Sequence, residues 1–219
     1  MKRLPLAAAL LLGCTLPCAA QARKGSVEVA AGGVWFSGAD LGGSTATLER
    51  PGGGEFDLFT TDTRLEGAFG GAATMSFFVA SRLAVEAGIS YARPNMSTRV
   101  SDDAEDAEPI TSVIGLQQYI VEGNLRWYLA RARGKWQPFL RAGGGYLRQL
   151  DDSNAHVETG TTVQAGLGAD RTFRERAAGR LRRIGLRADA RVIGRSGGFD
   201  VDDKLRVGFS AGAMLFFGF

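Results

Sequence analysis

From residue 26 to the last residue, apolar and polar side chains alternate along the chain with a period of two. The final stretch, residues 205–219, shows it plainly. Leu205, Val207, Phe209, Ala211, Ala213, Leu215, Phe217 and Phe219 fall on one side, with Arg206, Gly208, Ser210, Gly212, Met214, Phe216 and Gly218 on the other. Such a period places alternate residues on opposite faces of a β-strand. Similar stretches recur near 26–36, 65–79, 83–91, 116–129, 136–147, 161–172 and 183–193, and no helical 3.6-residue period competes with them. The pattern predicts an all-β chain: an eight-stranded antiparallel up-and-down β-barrel.

Between these strands the connections alternate in length. Those at 37–64, 93–113, 148–160 and 194–203 are long and polar, whereas those at 80–82, 130–135 and 174–182 are shorter. Long loops on one rim and short turns on the other is the habit of transmembrane barrels in outer membranes. The long connections are rich in Asp and Glu, while the last two short turns hold Arg131, Arg133, Lys135, Arg174, Arg176, Arg180 and Arg182. One rim is therefore acidic and the other basic.

Periodicity alone does not say which face meets solvent. One face carries mid-strand charges: Glu28, Glu66, Glu86, Glu122, Arg126, Arg141, Asp170, Arg187, Asp189, Arg191 and Arg206. Acids and bases are nearly balanced there, among many glycines and alanines, as a filled barrel interior of paired side chains requires. The opposite face has no charge away from strand ends, which lipid demands. Aromatics gather near strand ends: Trp35, Tyr91 and Tyr146 toward the long loops, and Phe77, Phe78, Trp127, Tyr128, Trp136, Phe217 and Phe219 toward the short turns. Two such groups match the two interfaces of a bilayer. Eight strands leave an interior that side chains fill, so no wide pore is expected.

Residues 1–22, with Lys2 and Arg3, an apolar run and Ala20-Gln21-Ala22, read as a secretory signal peptide, leaving 23–219 as the barrel domain. Removing Lys2 and Arg3 lowers the formal charge from +3 to about +1, so basicity gives no argument for nucleic-acid binding. Cys14 and Cys18 both lie in this leader, so the exported chain needs no disulfide. "LLGC" at 11–14 leaves a second processing route open, with lipidation of Cys14.

The terminal Phe219 with Phe217 and Leu215 resembles the C-terminal strand signature of Gram-negative outer-membrane β-barrels. "VASRLAVEAGISYARP" and "WQPFLRAGGGY" are similar to segments of the small OmpA/OmpX-type family. The resemblance implies insertion by the outer-membrane assembly machinery, which reads the last strand, and implies both chain ends in the periplasm.

Candidate chemistry is sparse. His156, the single histidine, lies in "LDDSNAHVETG" beside Asp152, Ser153 and Glu158. Nucleophilic catalysis needs a base within hydrogen-bond reach of its nucleophile, and a lipid A-modifying enzyme built on His156 is the alternative function. "SDDAEDAEP" at 101–109 lacks the glycine and spacing of a calcium loop. Gly33-Val34-Trp35 matches a lipocalin G-x-W, which leaves a soluble periplasmic carrier as a third reading. No cofactor is expected. The leading expectation is a non-enzymatic surface protein that contacts outer-membrane lipids, lipopolysaccharide or an extracellular ligand.

Overall fold

The computed structural model describes residues 24–49, 52–104, 107–129, 136–152, 155–176, 179–200 and 204–219. Its strands are β1 (Val27–Phe36), β2 (Ala39–Glu49), β3 (Glu55–Leu65), β4 (Ala68–Ala80), β5 (Leu83–Ala92), β6 (Asn95–Ser101), β7 (Ile110–Tyr128), β8 (Trp136–Asp151), β9 (Val157–Glu175), β10 (Arg183–Gly197) and β11 (Arg206–Gly218). The leader, the turn at 130–135, and Glu105, Asp106, Ser153, Asp202 and Asp203 lie outside the described residues.

Eight strands close a ring in the order β1-β4-β5-β7-β8-β9-β10-β11, with every neighbour antiparallel. Closure comes from β1 lying against β11, where Glu28 faces Gly218 and Phe36 faces Ser210. A closed ladder leaves no unpaired backbone toward hydrocarbon. Along each ring strand burial alternates as the sequence pattern does. In β1, Glu28, Ala30, Val34 and Phe36 are buried, while Ala31, Gly33 and Trp35 are exposed.

Three strands lie outside that ring, in connections read from sequence as loops. β2 and β3 form a hairpin across 37–64, β6 pairs with β3, and β6 also pairs with residues 110–115 of β7. They prolong the ring strands past short breaks at Ser37-Gly38, Glu66-Gly67 and Arg93-Pro94. The result is a four-stranded blade standing on one side of the long-loop rim. β2 is its outer edge and, among the described residues, pairs with β3 alone.

The break at Glu66-Gly67 corrects one expectation. Leu65 and Ala68 are both buried, and the two residues between them are both exposed. Two residues outside the ladder reset the inside-outside count, so Leu65 points inward rather than to lipid. Glu66 stands at the rim, where its carboxylate accepts a hydrogen bond from Asn95 at 3.1 Å.

The interior is layered. Nearest the short turns are Phe78, Tyr128 and Phe139, with Ala30, Met214 and Phe216 beside them. Charged residues fill the middle. Above them Val34, Phe36, Ala68, Ala92, Ile120, Leu147 and Ile193 form an apolar layer, and Leu41, Leu65 and Leu116 carry it toward the blade. Phe78 and Tyr128, expected in the outer aromatic group, are thus buried inside. Each is the second of an adjacent aromatic pair, and a strand sends neighbours to opposite faces. Lumen glycines make room for the rings: a Cβ on Gly168 would strike Phe139, and one on Gly185 would strike Phe216.

The outer wall is apolar and exposed, with Phe69 at 83%, Leu167 at 64% and Val121 at 54%. Trp35 pairs with Phe69 and Tyr91 with Tyr119, forming one aromatic belt; Phe77, Trp127, Trp136 and Phe173 mark the other. Phe69 and Phe77 stand eight residues apart on one strand. At about 3.3 Å per residue and a tilt near 40° this separates the belts by about 20 Å, close to the apolar band of an outer-membrane barrel.

Candidate functional site

The middle of the barrel is an ionic network built from side chains that the alternation turns inward. Arg126 on β7 reaches Glu28 of β1 at 2.8 Å and Glu86 of β5 at 3.1 Å. Arg187 on β10 pairs with Asp170 of β9 at 2.9 Å, with Glu86 at 3.3 Å and with Glu28. Arg141 on β8 pairs with Glu122 and, at 3.0 Å, with Glu86. Arg191 reaches Glu122 at 3.2 Å and Asp189 at 3.0 Å. Glu86 thus touches three arginines from three other strands. Opposite charges taken from water must recover their hydration through such contacts; here Glu28, Glu86, Glu122 and Asp189 are each shared between arginines, while Asp170, among the described residues, has Arg187 alone.

Neutral side chains complete the network. Gln164 donates to Glu122 at 2.7 Å and to Asn124 at 2.8 Å, and it accepts from Arg191 at 2.9 Å. The Tyr128 hydroxyl donates to Asp170 at 2.6 Å. Beneath, the Arg126 guanidinium sits 5.3–5.7 Å from the rings of Phe78, Tyr128 and Phe139, and Arg187 lies 5.7 Å from Phe139 and Phe216. Delocalised cations gain from aromatic faces that also exclude water. The charged set leaves out Asn124, Gln164 and Gln118, which the alternation puts on the same inward face, and Gln149, which lies beyond the strand expected at 136–147. Their inward register was the signal that could have found them, since a buried amide there must have partners.

Nine residues of the expected charge set meet in the lumen: Glu28, Glu86, Glu122, Arg126, Arg141, Asp170, Arg187, Asp189 and Arg191. Two do not. Glu66 lies at the rim, and Arg206, at the start of β11, pairs with Asp200 at 3.0 Å. A side chain at the end of a ladder reaches loop carboxylates more readily than the barrel centre. With an apolar layer above, the ionic layer between and aromatic rings below, the barrel interior is packed.

At the chain end, the Phe219 N–H donates to Val27 at 2.8 Å. Leu215 and Phe219 are exposed on the outer wall, and Phe217, half buried, lies between Val29 and Ile184.

His156 stands in water at 77% side-chain exposure, with Nδ1 3.5 Å from Asp151. The Asp151 carboxylate accepts hydrogen bonds from the backbone N–H of Ala155 at 2.9 Å and of His156 at 3.3 Å. Asp152 pairs instead with Arg93 at 3.0 Å. The carboxylate therefore organises a turn. Trp35 of the G-x-W stretch lies half-exposed on the outer wall, and the lumen is charged where a carrier of apolar ligands would be greasy. The lipocalin-like reading falls on both counts.

These features define an integral outer-membrane β-barrel with the small OmpA/OmpX-type architecture. The crystal structure of the outer membrane protein OprG from Pseudomonas aeruginosa is similar, with a TM-score of 0.52 and 12% identity over 90% of this chain and 97% of that one. The N-terminal β-barrel domain of Pseudomonas aeruginosa OprF matches with a TM-score of 0.39 and 13% identity, covering 90% and 98%. Ail, the attachment invasion locus protein of Yersinia pestis, gives 0.38 and 12%, covering 90% and 99%. No protein-family profile matches the chain. No curated protein matches it either. At these identities the likeness concerns the fold.

Proposed function

We propose that the chain is a non-enzymatic surface protein of the outer membrane that captures extended, basic polypeptide segments at the free edge of β2. The observation that carries this reading is the blade, whose outer strand has a ladder partner on one side only. Native edge strands are normally blunted by charge, proline or shortness. From Gly42 to Leu48, β2 is uncharged and free of proline. Ser44 turns both its N–H and C=O toward β3, where they meet the Thr61 hydroxyl at 3.2 and 3.0 Å. Its neighbour Thr45 therefore turns its own pair outward, as alternate strand residues do. An incoming strand gains main-chain hydrogen bonds there. Asp40 and Glu49 lie on β2 itself, and Glu55 and Asp57 lie opposite Glu49 and Thr47 on β3, which favours a basic partner over an acidic one.

The packed lumen supports a structural rather than a conducting role for the barrel. Contact with divalent-bridged lipopolysaccharide by the acidic loops belongs to the same reading, as do export by residues 1–22 and recognition of Phe219, Phe217 and Leu215 by the assembly machinery. Thr45→Pro tests the edge: proline removes one outward donor and is tolerated on edge strands. Binding of a basic, strand-forming peptide should weaken about tenfold relative to the unaltered protein, the loss of one hydrogen bond with its neighbours disturbed. The barrel should remain folded by its gel mobility before heating. Unchanged peptide affinity would remove the edge from the account.

A further inference from the structure

Arg171 lies on the outer wall at the level of the short-turn aromatic belt. It belongs to the outward set of β9, opposite Trp136 on β8 and Leu186 on β10. Its guanidinium carbon sits 5.3 Å from the Trp136 ring and 5.8 Å from the Phe173 ring. Among the described residues no carboxylate pairs with it. The bulge opposite Ile184 and Gly185 leaves Phe173 without a ladder partner on that side and sets Arg174 beside Ile184, so Arg171, Phe173 and Arg174 are all exposed on the wall. Arg176 and Arg182 close the turn just below, joined by a backbone hydrogen bond of 2.8 Å.

A cation on a lipid-facing wall is costly unless it reaches the interface or finds an anion. Two rings flank the Arg171 guanidinium, and its N–H groups have no carboxylate among the described residues to take them. Those donors, arranged as a fork, suit the oxygens of a phosphate. In outer-membrane barrels the short turns face the periplasm, so this level meets the headgroups of the inner leaflet. We propose that Arg171 and Arg174, framed by Trp136 and Phe173, form a binding site for the headgroup phosphate of an anionic glycerophospholipid in the periplasmic leaflet. The ring-flanked guanidinium takes the phosphate oxygens. Arg174 and the turn arginines supply the field that favours a net negative headgroup over a zwitterionic one. Acyl chains then lie along the wall beside Leu186.

Native mass spectrometry of the intact barrel, released from vesicles of phosphatidylglycerol and phosphatidylcholine, reads this directly. The unaltered protein should retain phosphatidylglycerol in preference to phosphatidylcholine. Arg171→Ala should weaken that retention about fivefold, and Arg171→Ala with Arg174→Ala about 25-fold, from the usual worth of a basic residue at an anionic surface. Arg171→Lys, which keeps the charge and loses the planar fork, should fall between the unaltered protein and Arg171→Ala. Arg148→Ala, at the opposite rim, removes the same charge and should change nothing. Equal retention of the two lipids by the unaltered protein overturns the site, whatever the variants do. So does an Arg148→Ala loss as large as that of Arg171→Ala, or full retention by the double variant.

Discussion

Arg187→Leu should destabilise the barrel by about 3–5 kcal/mol, the usual cost of removing one partner from a buried ion pair. Arg187 is buried and meets Asp170, Glu86 and Glu28 together. Arg126 still bridges Glu28 and Glu86 in its absence, but among the described residues Asp170 keeps only the hydrogen bond from the Tyr128 hydroxyl. The cost is therefore largely that of leaving the Asp170 carboxylate, whose one paired cation among them is Arg187, unpaired in a dry place. Urea unfolding from lipid vesicles, followed by tryptophan emission, measures it. Adding Asp170→Leu should recover at least half the loss, because an apolar pair replaces an orphaned charge. A loss below about 1 kcal/mol for Arg187→Leu would mean the lumen is wet.

The second large effect concerns the opposite face. Leu167 lies midway along β9, flanked by Leu140 and Ala190 on the neighbouring strands, and all three face outward. Leu167→Arg should cost about 2–4 kcal/mol in vesicles, as a cation at the bilayer midplane does. Val157→Arg, on the same side but at the first residue of β9, should cost about 0–1 kcal/mol, because the penalty fades toward the interface. In a barrel surrounded by water the two substitutions would be equally mild.

Much of the ring could be read from the sequence, and the reason is physical. A charge on the outer face is costly away from the strand ends, so strands such as β7 and β10 alternate without error through Val121, Leu125 and Trp127 or through Leu186, Ala188 and Ala190. The blade was not legible for the converse reason. "ADLGGSTATLE" meets water on both faces, so nothing forces a two-residue alternation, and β2 resembles a loop. Counting parity across Glu66-Gly67 carried a correct pattern past a break that resets it. Aromatic position along the chain shows which rim a ring lies near, but not which face, and so it assigns Phe78 and Tyr128 to the outer belt although both point inward. Of the lumen, the charges were legible. The alternation also puts Gln118, Asn124 and Gln164 on the charged face, but the upper apolar layer was not legible, because Ile and Leu are ordinary on either side of a strand.

All three tryptophans of the chain, Trp35, Trp127 and Trp136, stand exposed on the outer wall. The central claim, that hydrocarbon and not water covers that wall, is therefore testable on the unaltered protein. Its intrinsic fluorescence should be quenched strongly in vesicles of phospholipid brominated near the headgroup end of the acyl chains, and little by iodide in the aqueous phase. Strong quenching by iodide with none by brominated lipid would contradict the account.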